Sequence, residues 1–533
     1  MTPEEWIAHD PDPVTAAELA ACDPGELAAR FARPLKFGTA GLRGPLRGGP
    51  DAMNLAVVLR ATWAVAQVLK DRGLAGSRVI VGRDARHGSA IFAVAAAEVL
   101  AAQGFSVELL AGAVPTPVVA FAVRHTGAAA GVQITASHNP PSDNGYKVYF
   151  GGGLQIVSPT DSAIESAMAA APFADQVGRA PVEPTGNGLV DRYIEHTADL
   201  RRSTGSVRVA LTPLHGVGGA AAVETLHRAG FGEVHTVGVQ FAPDPDFPTV
   251  AFPNPEEPGA TDALLRLAGD VDADIAVALD PDADRCAVGI PTPEGWRLLS
   301  GDETGWLLGN YILSHTESPE TTVVASTVVS SRMLAAIAAH YGARHVETLT
   351  GFKWLARADA GMPGFTLVYA YEEAIGHCVD PAAVRDKDGI SAAVLACDLV
   401  AALKAQDRSV LDALDDLARR HGVHLGAAVQ RQVSGPDEAT GVMQRLRANP
   451  PTRLAGFPAA AVDLMRTRNP TDALVFSGGD ADLWARVVVR PSGTEPKLKF
   501  YLEAGCPAGQ DLRRAREQAG ALRDELVALV QRW

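Results

Sequence analysis

Ser137 sits in the run Thr135-Ala136-Ser137-His138-Asn139-Pro140, directly after the apolar stretch Gly131 to Ile134. Two prolines, the Asn144-Gly145 pair and the loss of hydrophobic periodicity mark an exposed, rigid turn. A serine in a turn is ordinarily inert. His138 and Lys147 are neighbours that can carry its proton or pair with a phosphate. The loop therefore has the parts for nucleophilic or phosphoryl chemistry, and alone it establishes neither.

A second loop, Asp280-Pro281-Asp282-Ala283-Asp284-Arg285, ends the apolar run Ile275 to Leu279. Carboxylates at alternate positions suit a hard divalent cation, which takes oxygen ligands in near-octahedral array. Without a compensating cation, three like charges at the end of a buried strand repel. A competing interpretation is the Asp-x-Asp nucleophile loop of haloacid-dehalogenase-type phosphatases, which also follows an apolar strand. Arg285 directly after the third aspartate does not suit it, and Gly301-Asp302 lacks a second aspartate at the right distance.

A third loop is Tyr371-Glu372-Glu373-Ala374-Ile375-Gly376-His377, after the apolar segment Phe365 to Tyr369. Glu372 and Glu373 can accept hydrogen bonds from sugar hydroxyls, although an isolated pair would read as a solvated surface feature. His377 is a candidate base. The fourth loop, Arg490-Pro491-Ser492-Gly493-Thr494-Glu495-Pro496-Lys497, follows Ala485 to Val489. An arginine, two hydroxyls, backbone amides beside a glycine and a lysine make a phosphate cradle. Upstream, Gly38-Thr39-Ala40-Gly41-Leu42-Arg43-Gly44 is a further Gly-rich loop with one arginine. Each loop is weak singly. Their order, a serine, a metal loop, a hydroxyl-binding pair and a phosphate loop, is not what independent turns would give.

The elements that must carry these loops repeat three times. Val79 to Val81, an Ala-rich helix, Gly104 and Val107 to Leu110 form one strand-helix-strand unit. Val207 to Leu211, a helix through Leu226, Gly230 and Val234 to Val237 form the second. Val323 to Ala325, a helix from Arg332, Gly342 and His345 to Leu349 form the third. The glycine after each helix predicts a left-handed cap, and such units favour parallel sheets with right-handed crossovers. Three related α/β domains with mixed sheets follow. The last stretch differs: Gln430 to Val433, a helix over Pro436 to Ala448, a strand over Ala485 to Val489 and a helix from Gly509 predict a C-terminal α+β domain. Linkers are expected in the region bracketed by Asn187 and Ser203 to Ser206, at Pro291 to Trp296 and near Gly422. The expected domains are 1–203, 204–297, 298–422 and 423–533.

A chain of 533 residues exceeds one ordinary core and suggests three or four domains. Apolar residues at 47% and charged residues at 20% fit a soluble globular protein. The net charge of -15 argues against nucleic acid as a partner, yet leaves room for a small anionic ligand at a local arginine cluster. The five cysteines are scattered without a CxxC pair, so neither disulfides nor zinc are indicated. Met1 to Pro13 is polar and acidic, and no long apolar run exists, so neither a secretory leader nor a membrane span is expected. A reduced, cytoplasmic setting fits these features.

Taken together, Thr135 to Pro140, Asp280 to Arg285 and Arg490 to Pro496 resemble the α-D-phosphohexomutase superfamily of phosphoglucomutases and phosphomannomutases, from about Leu35 to Tyr501. Thr39 to Gly44, Gly351-Phe352-Lys353-Trp354, Glu372 to Gly376 and Lys387-Asp388-Gly389 resemble the bacterial branch that also contains phosphopentomutases. The resemblance implies four domains around a central cleft. It implies a phosphorylated Ser137, with Asp280, Asp282 and Asp284 holding Mg²⁺ together with the seryl phosphate. Arg43, Arg285 and Lys147 would surround the transferring phosphoryl group, with Lys147 or His138 as base. Glu373 would contact the sugar, and Arg490, Ser492, Gly493 and Thr494, assisted by Lys353, would clamp the non-reacting phosphate. One departure is Ile375, where phosphomannomutases tend to have Ser, and Glu372 adds a second carboxylate. The implied activity interconverts hexose 1- and 6-phosphates of glucose or mannose through a sugar bisphosphate, in a monomer or homodimer. A phosphopentomutase, a sugar bisphosphate synthase and a silent phosphosugar-binding protein are the alternatives.

Overall fold

The computed structural model describes residues 1–37, 41–433, 435–467, 470–492 and 497–533. Two compact bodies make up the chain: Met1–Leu299 with Gly376–Ala402, and Ser300–Ile375 with Leu403–Trp533.

The first body contains two sheets. Strands β1 (Leu42–Pro45), β2 (Arg78–Arg83), β3 (Ser106–Leu109), β4 (Ala130–Ile134), β5 (Asp143–Phe150) and β6 (Leu154–Gln155) form one, in the order β1-β5-β4-β2-β3 with β6 on β5. Here β2 runs parallel to β3 and β4, and β5 turns back antiparallel. Strands β7 (Arg208–Thr212), β8 (Glu233–Thr236), β9 (Ile275–Leu279), β10 (Cys286–Thr292) and β11 (Gly295–Leu298) form the other, in the order β11-β10-β9-β7-β8. The same pattern recurs: β7 is parallel to β8 and β9, and β10 returns antiparallel.

The second body repeats it once more. Strand β12 (Thr322–Thr327) is parallel to both β13 (Arg344–Thr348) and β14 (Thr366–Glu372). β4, β9 and β12 are buried along their whole length, which is why none of them alternates apolar and polar residues. Gly104, Gly230 and Gly342, each just past its helix, have φ of 88°, 86° and 78°. The left-handed caps expected from the sequence are present, and the three units are related α/β domains with mixed sheets.

The C-terminal part is an α+β domain. β15 (Gly376–Cys378) lies in the first body; β16 (Val423–Gln432), a small hairpin of β17 (Arg453–Leu454) and β18 (Phe457–Pro458), β19 (Ala460–Asp463), β20 (Leu474–Gly479), β21 (Trp484–Pro491) and β22 (Lys497–Cys506) lie in the second. The antiparallel order is β16-β22-β21-β20-β19. The helix Leu512–Val530 packs on β16 and β22 through Ala515, Ala519, Leu522, Leu526 and Val530, a stripe at helical spacing. Truncating a fully covered member such as Leu526 to alanine costs about 2–5 kcal/mol.

One expectation is corrected. Pro291 to Trp296 is no linker but the tip of the β10–β11 hairpin, where Ile290 pairs with Arg297 and Thr292 with Gly295. Its Pro and Gly serve the turn itself. Among the described residues, no helix is long and apolar enough to cross a membrane.

Candidate active site

In each α/β unit the strand that follows the strand-helix-strand pair runs into one of the chemical loops: β4 into Ser137, β9 into the aspartates, β14 into Glu373. Near the tip of each loop a non-glycine residue is forced to positive φ: Ser137 at 53°, Ala283 at 56° and Ile375 at 51°. Such backbone costs about 1–3 kcal/mol per residue and persists only where its surroundings over-determine it. For a β-branched residue such as Ile375 it is a true outlier.

The first body carries the serine and the aspartates. The sequence predicted an exposed turn at Ser137; instead the side chain is 3% exposed. Asn144 and Gly145 are not in the turn either. They begin β5, and a Cβ at position 145 would stand 2.5 Å from the Thr135 carbonyl. The Ser137 hydroxyl donates to Asp280 Oδ2 at 2.7 Å and lies 3.2 Å from His138 Nδ1. Its amide donates to Thr135 Oγ1 at 2.9 Å.

Arg86, which no motif in the sequence singles out, holds this loop. Its buried guanidinium donates to the carbonyls of Ser137 and Pro140, both at 2.7 Å, of Asp143 at 3.1 Å, and of Asn139. It also lies over the Phe247 ring at 4.9 Å. Four carbonyls on one cation leave the loop little freedom. Arg43, on β1 opposite Gly145, donates to Asn139 Oδ1 at 2.8 Å and is half-buried.

Asp280, Asp282 and Asp284 are fully buried, with ligand oxygens within 4.8 Å of one another. Lys147 Nζ donates to Asp282 Oδ2 and Asp284 Oδ2, both at 2.7 Å. Burial alone would lower the Lys147 pKa, but Asp282 and Asp284 outweigh it and raise it. Lys147 is thus held as a cation, with two of its three protons donated to the aspartates. Burial likewise works against ionising Asp282, yet Lys147, together with the Thr116 hydroxyl, holds that carboxyl below its usual range. Asp280 is pushed well up by burial and by its two acidic neighbours. His138 is pushed well down, first by burial and then by Arg285 and Arg43, so its ring is neutral at neutral pH.

The Lys387-Asp388-Gly389 motif acquires a physical meaning. Lys387 Nζ lies 3.2 Å from Asp284 Oδ2. Asp388 Oδ1 accepts from Tyr193 Oη at 2.7 Å and from the amides of Ile390 and Ser391, capping the helix Gly389–Lys404. Gly389 must be glycine because a Cβ would stand 2.4 Å from the Arg285 carbonyl. Arg285 also fixes Asp280: its backbone amide donates to Oδ1 at 3.0 Å. Thr116 Oγ1 donates to Asp282 Oδ2 at 2.5 Å. His377 is buried, and burial pushes it to about 3, a neutral ring and a poor base.

The aspartate cluster suits a divalent cation. Asp282 Oδ1 and Asp284 Oδ1 are buried without a hydrogen bond among the described residues. Orphaned carboxylate oxygens in a dry interior are costly. Paired on neighbouring carboxylates, they are the donor set a hard cation takes.

The second body carries the other loops. Glu372 ends β14 and is buried, while Glu373 is half-buried. Thr327 Oγ1 and Ser330 Oγ donate to Glu373 Oε2 at 3.0 and 2.9 Å. Arg490, near the end of β21, is half-buried, as is Ser492, whose amide donates to the Lys497 carbonyl at 2.8 Å. Tyr501 joins the two loops electrostatically. Burial raises its phenol first, Glu373 raises it further, and the hydrogen-bonded Arg490 opposes. Lys353 lies on the short helix Phe352–Leu355, its Nζ 6.0 Å from the Trp354 ring centre. Gly493 and Thr494, like Gly38, Thr39 and Ala40, lie outside the described residues.

Four sequence families match in series: phosphoglucomutase/phosphomannomutase alpha/beta/alpha domain I at residues 34–175, domain II at 191–293, domain III at 300–421 and the C-terminal domain at 447–519. A probable phosphomannomutase of Haemophilus influenzae is 40% identical over 85% of this chain and 93% of its own length. A phosphopentomutase of Mus musculus is 32% identical over 99% of this chain and 93% of its own. Among solved structures, a candidate phosphomannomutase of Thermus thermophilus matches with TM-score 0.71 and 25% identity over 94% of this chain and 99% of that one. The dehalogenase-type alternative for the aspartate loop falls away, and the chain belongs to the phosphoglucomutase/phosphomannomutase family as a phosphosugar mutase.

Proposed function

We propose that this enzyme interconverts hexose 1-phosphates and hexose 6-phosphates, of glucose or mannose, through a phosphorylated Ser137 and a bisphosphorylated sugar. The observation that carries this is the Ser137 hydroxyl, held by a strained backbone 2.7 Å from Asp280 inside the buried aspartate cluster. An inert turn serine needs no such setting.

In the forward step the phosphoseryl P–O bond breaks and a P–O bond forms to a sugar hydroxyl. The hydroxyl proton passes to a base, and His138, neutral and beside Ser137 Oγ, is the group available. In the return step the sugar's other P–O bond breaks, that phosphoryl group forms a P–O bond to the Ser137 oxygen, and the departing sugar oxygen takes the proton back from the base. Asp280, Asp282 and Asp284, with the seryl phosphate, would hold Mg²⁺. The bound ion supplies charge neutralisation of phosphoryl oxygens and stabilisation of the leaving serine oxygen. Arg43 and Arg285 support the equatorial oxygens. Lys147 and Lys387 balance the aspartates before an anionic ligand arrives. Glu373, with Glu372 beside it, contacts the sugar, while Arg490, Ser492, Gly493, Thr494 and Lys353 take the non-reacting phosphate. The domains carrying these roles are 1–203, 204–297, 298–422 and 423–533.

A second substrate class is supported by the full-length similarity to the mouse phosphopentomutase. A comparison of kcat/KM on glucose 1-phosphate, mannose 1-phosphate and ribose 1-phosphate, with a sugar bisphosphate as activator, decides between them. The hexose assignment predicts the highest value on a hexose phosphate. A higher value on ribose 1-phosphate overturns it.

A further inference from the structure

Glu373 is held in an unusual way. Both Thr327 Oγ1 and Ser330 Oγ donate to its Oε2, and they lie 2.8 Å from each other. The two residues are 1% and 2% exposed. Oε1 accepts no hydrogen bond from the described residues. The backbone is fixed from the other side, since a Cβ on Gly301 would stand 1.9 Å from the Glu373 carbonyl. One carboxylate oxygen is thus pinned and the other left for a ligand.

The end of β12 and the loop after it, which supply these hydroxyls, are themselves gripped by the C-terminal sheet. Arg486 on β21 and Glu503 on β22 face each other in register. Glu503 Oε1 accepts from Ser331 Oγ at 2.6 Å, from the Arg332 amide at 3.0 Å and from His424 Nδ1, 2.8 Å away. The Arg486 guanidinium donates to the carbonyls of Val328 and Ser330. One carboxylate takes the loop's donors and one cation takes its acceptors. Val328 and Val329 pack against Ala473 and Val488 of the same domain. Two strands therefore carry Arg486 and Glu503, which grip this loop, as well as Arg490 and Tyr501.

We propose that Thr327 and Ser330 are positioning residues that set the sugar-reading oxygen of Glu373, and that their loop takes its place from the C-terminal sheet through Arg486 and Glu503. The seating of the phosphate-binding domain and the reading of the sugar hydroxyl are then one mechanical act. This rests on the assignment of Glu373 as the sugar contact.

The test compares the double variant Thr327→Val/Ser330→Ala with Glu373→Gln. Both are assayed on glucose 1-phosphate and mannose 1-phosphate, with inhibition by inorganic phosphate as a control. The double variant should raise KM about 10-fold, the scale of losing a hydrogen bond to a charged acceptor, and shift the glucose-to-mannose kcat/KM ratio in the same direction as Glu373→Gln. The inhibition constant of phosphate should not move, and Thr327→Ser, which keeps the hydroxyl, should behave as the parent. Ser331→Ala, which loosens the Glu503 grip, should shift the ratio the same way by less. If Glu373→Gln moves the ratio and the double variant does not, the positioning role is wrong. If Glu373→Gln itself changes nothing, the sugar-contact assignment fails first. Should the double variant melt early, Ser330→Ala alone carries the test: a KM unchanged from the parent overturns the proposal.

Discussion

The serine centre of the first body and the sugar and phosphate loops of the second are built on opposite principles. Around Ser137 the loop is tied by four carbonyls to Arg86, and Lys147 and Thr116 hold the Oδ2 atoms of Asp282 and Asp284, leaving their Oδ1 atoms to a cation. Around Glu373 and Arg490 the groups are half-buried, and one carboxylate oxygen stays open. A mutase explains the contrast. The phosphoryl donor must sit in one place, because transfer depends on alignment. On the proposed mechanism the groups around Glu373 and Arg490 accept a bisphosphate in either of two orientations, so they are supported but not locked.

The contrast breaks most visibly at the serine. Ser137→Ala removes the covalent route, so turnover should fall toward the uncatalysed rate, by about 10⁶-fold or more. Its melting temperature should stay close to that of the parent, because a single hydrogen bond nets only about 1 kcal/mol. Retained mutase activity in a coupled assay would contradict the assignment.

Arg86→Met probes whether commitment of the loop matters for rate. Four carbonyls lose a buried cation, and the loop can drift by the ~1 Å that costs about 10²-fold in kcat. Asp84 Oδ2, buried 3.5 Å from the Arg86 guanidinium, would lose its ion-pair partner, which should also cost about 3–5 kcal/mol in denaturant unfolding. A variant that is destabilised with kcat intact would make Arg86 a fold residue only. On the second body, Arg490→Ala should raise KM by about 10- to 100-fold, the loss of charge-assisted phosphate contacts, with a smaller effect on kcat. An equal fall in kcat would mean that Arg490 acts on the reacting phosphate.

The smallest effect tests what commitment costs at Asp388. Burial pushes its carboxyl to about 6, above the ordinary 3.8. The unfolded chain releases this proton near pH 4, whereas the folded protein keeps it until about pH 6. The contribution to stability is therefore full below pH 4 and lost as pH rises through 6. Asp388→Asn keeps an oxygen for the Tyr193, Ile390 and Ser391 donors, all of which meet Oδ1. The variant should melt with a flatter pH profile and, above pH 6.5, be more stable than the parent by up to ~2–3 kcal/mol. Parallel profiles would show that Asp388 is not held protonated.

What the sequence made legible was periodic or locally marked. β9 and the helix Pro436–Ala448 lie where the pattern placed them, because burial on both faces and helical spacing leave a local trace. The three glycine caps were visible because the left-handed turn demands that residue. The burial of Ser137 was not legible, since the prolines and Asn-Gly that signal a turn say nothing of what folds over it. Arg86 and Thr116 were missed for the same reason: their partners lie far along the chain, and in sequence they are an arginine after Asp84-Ala85 and a threonine before a proline. Lys147 was visible, but the two carboxylates that close on its ammonium were not, because they lie far along the chain.

Incubating the enzyme with glucose 1,6-bisphosphate and sequencing its peptides by mass spectrometry tests the central claim most directly. One phosphoryl group should appear on Ser137, disappear on a chase with excess hexose phosphate, and be absent from Ser137→Ala. A phosphoryl group on another residue, or turnover with Ser137 unmodified throughout, would contradict the account.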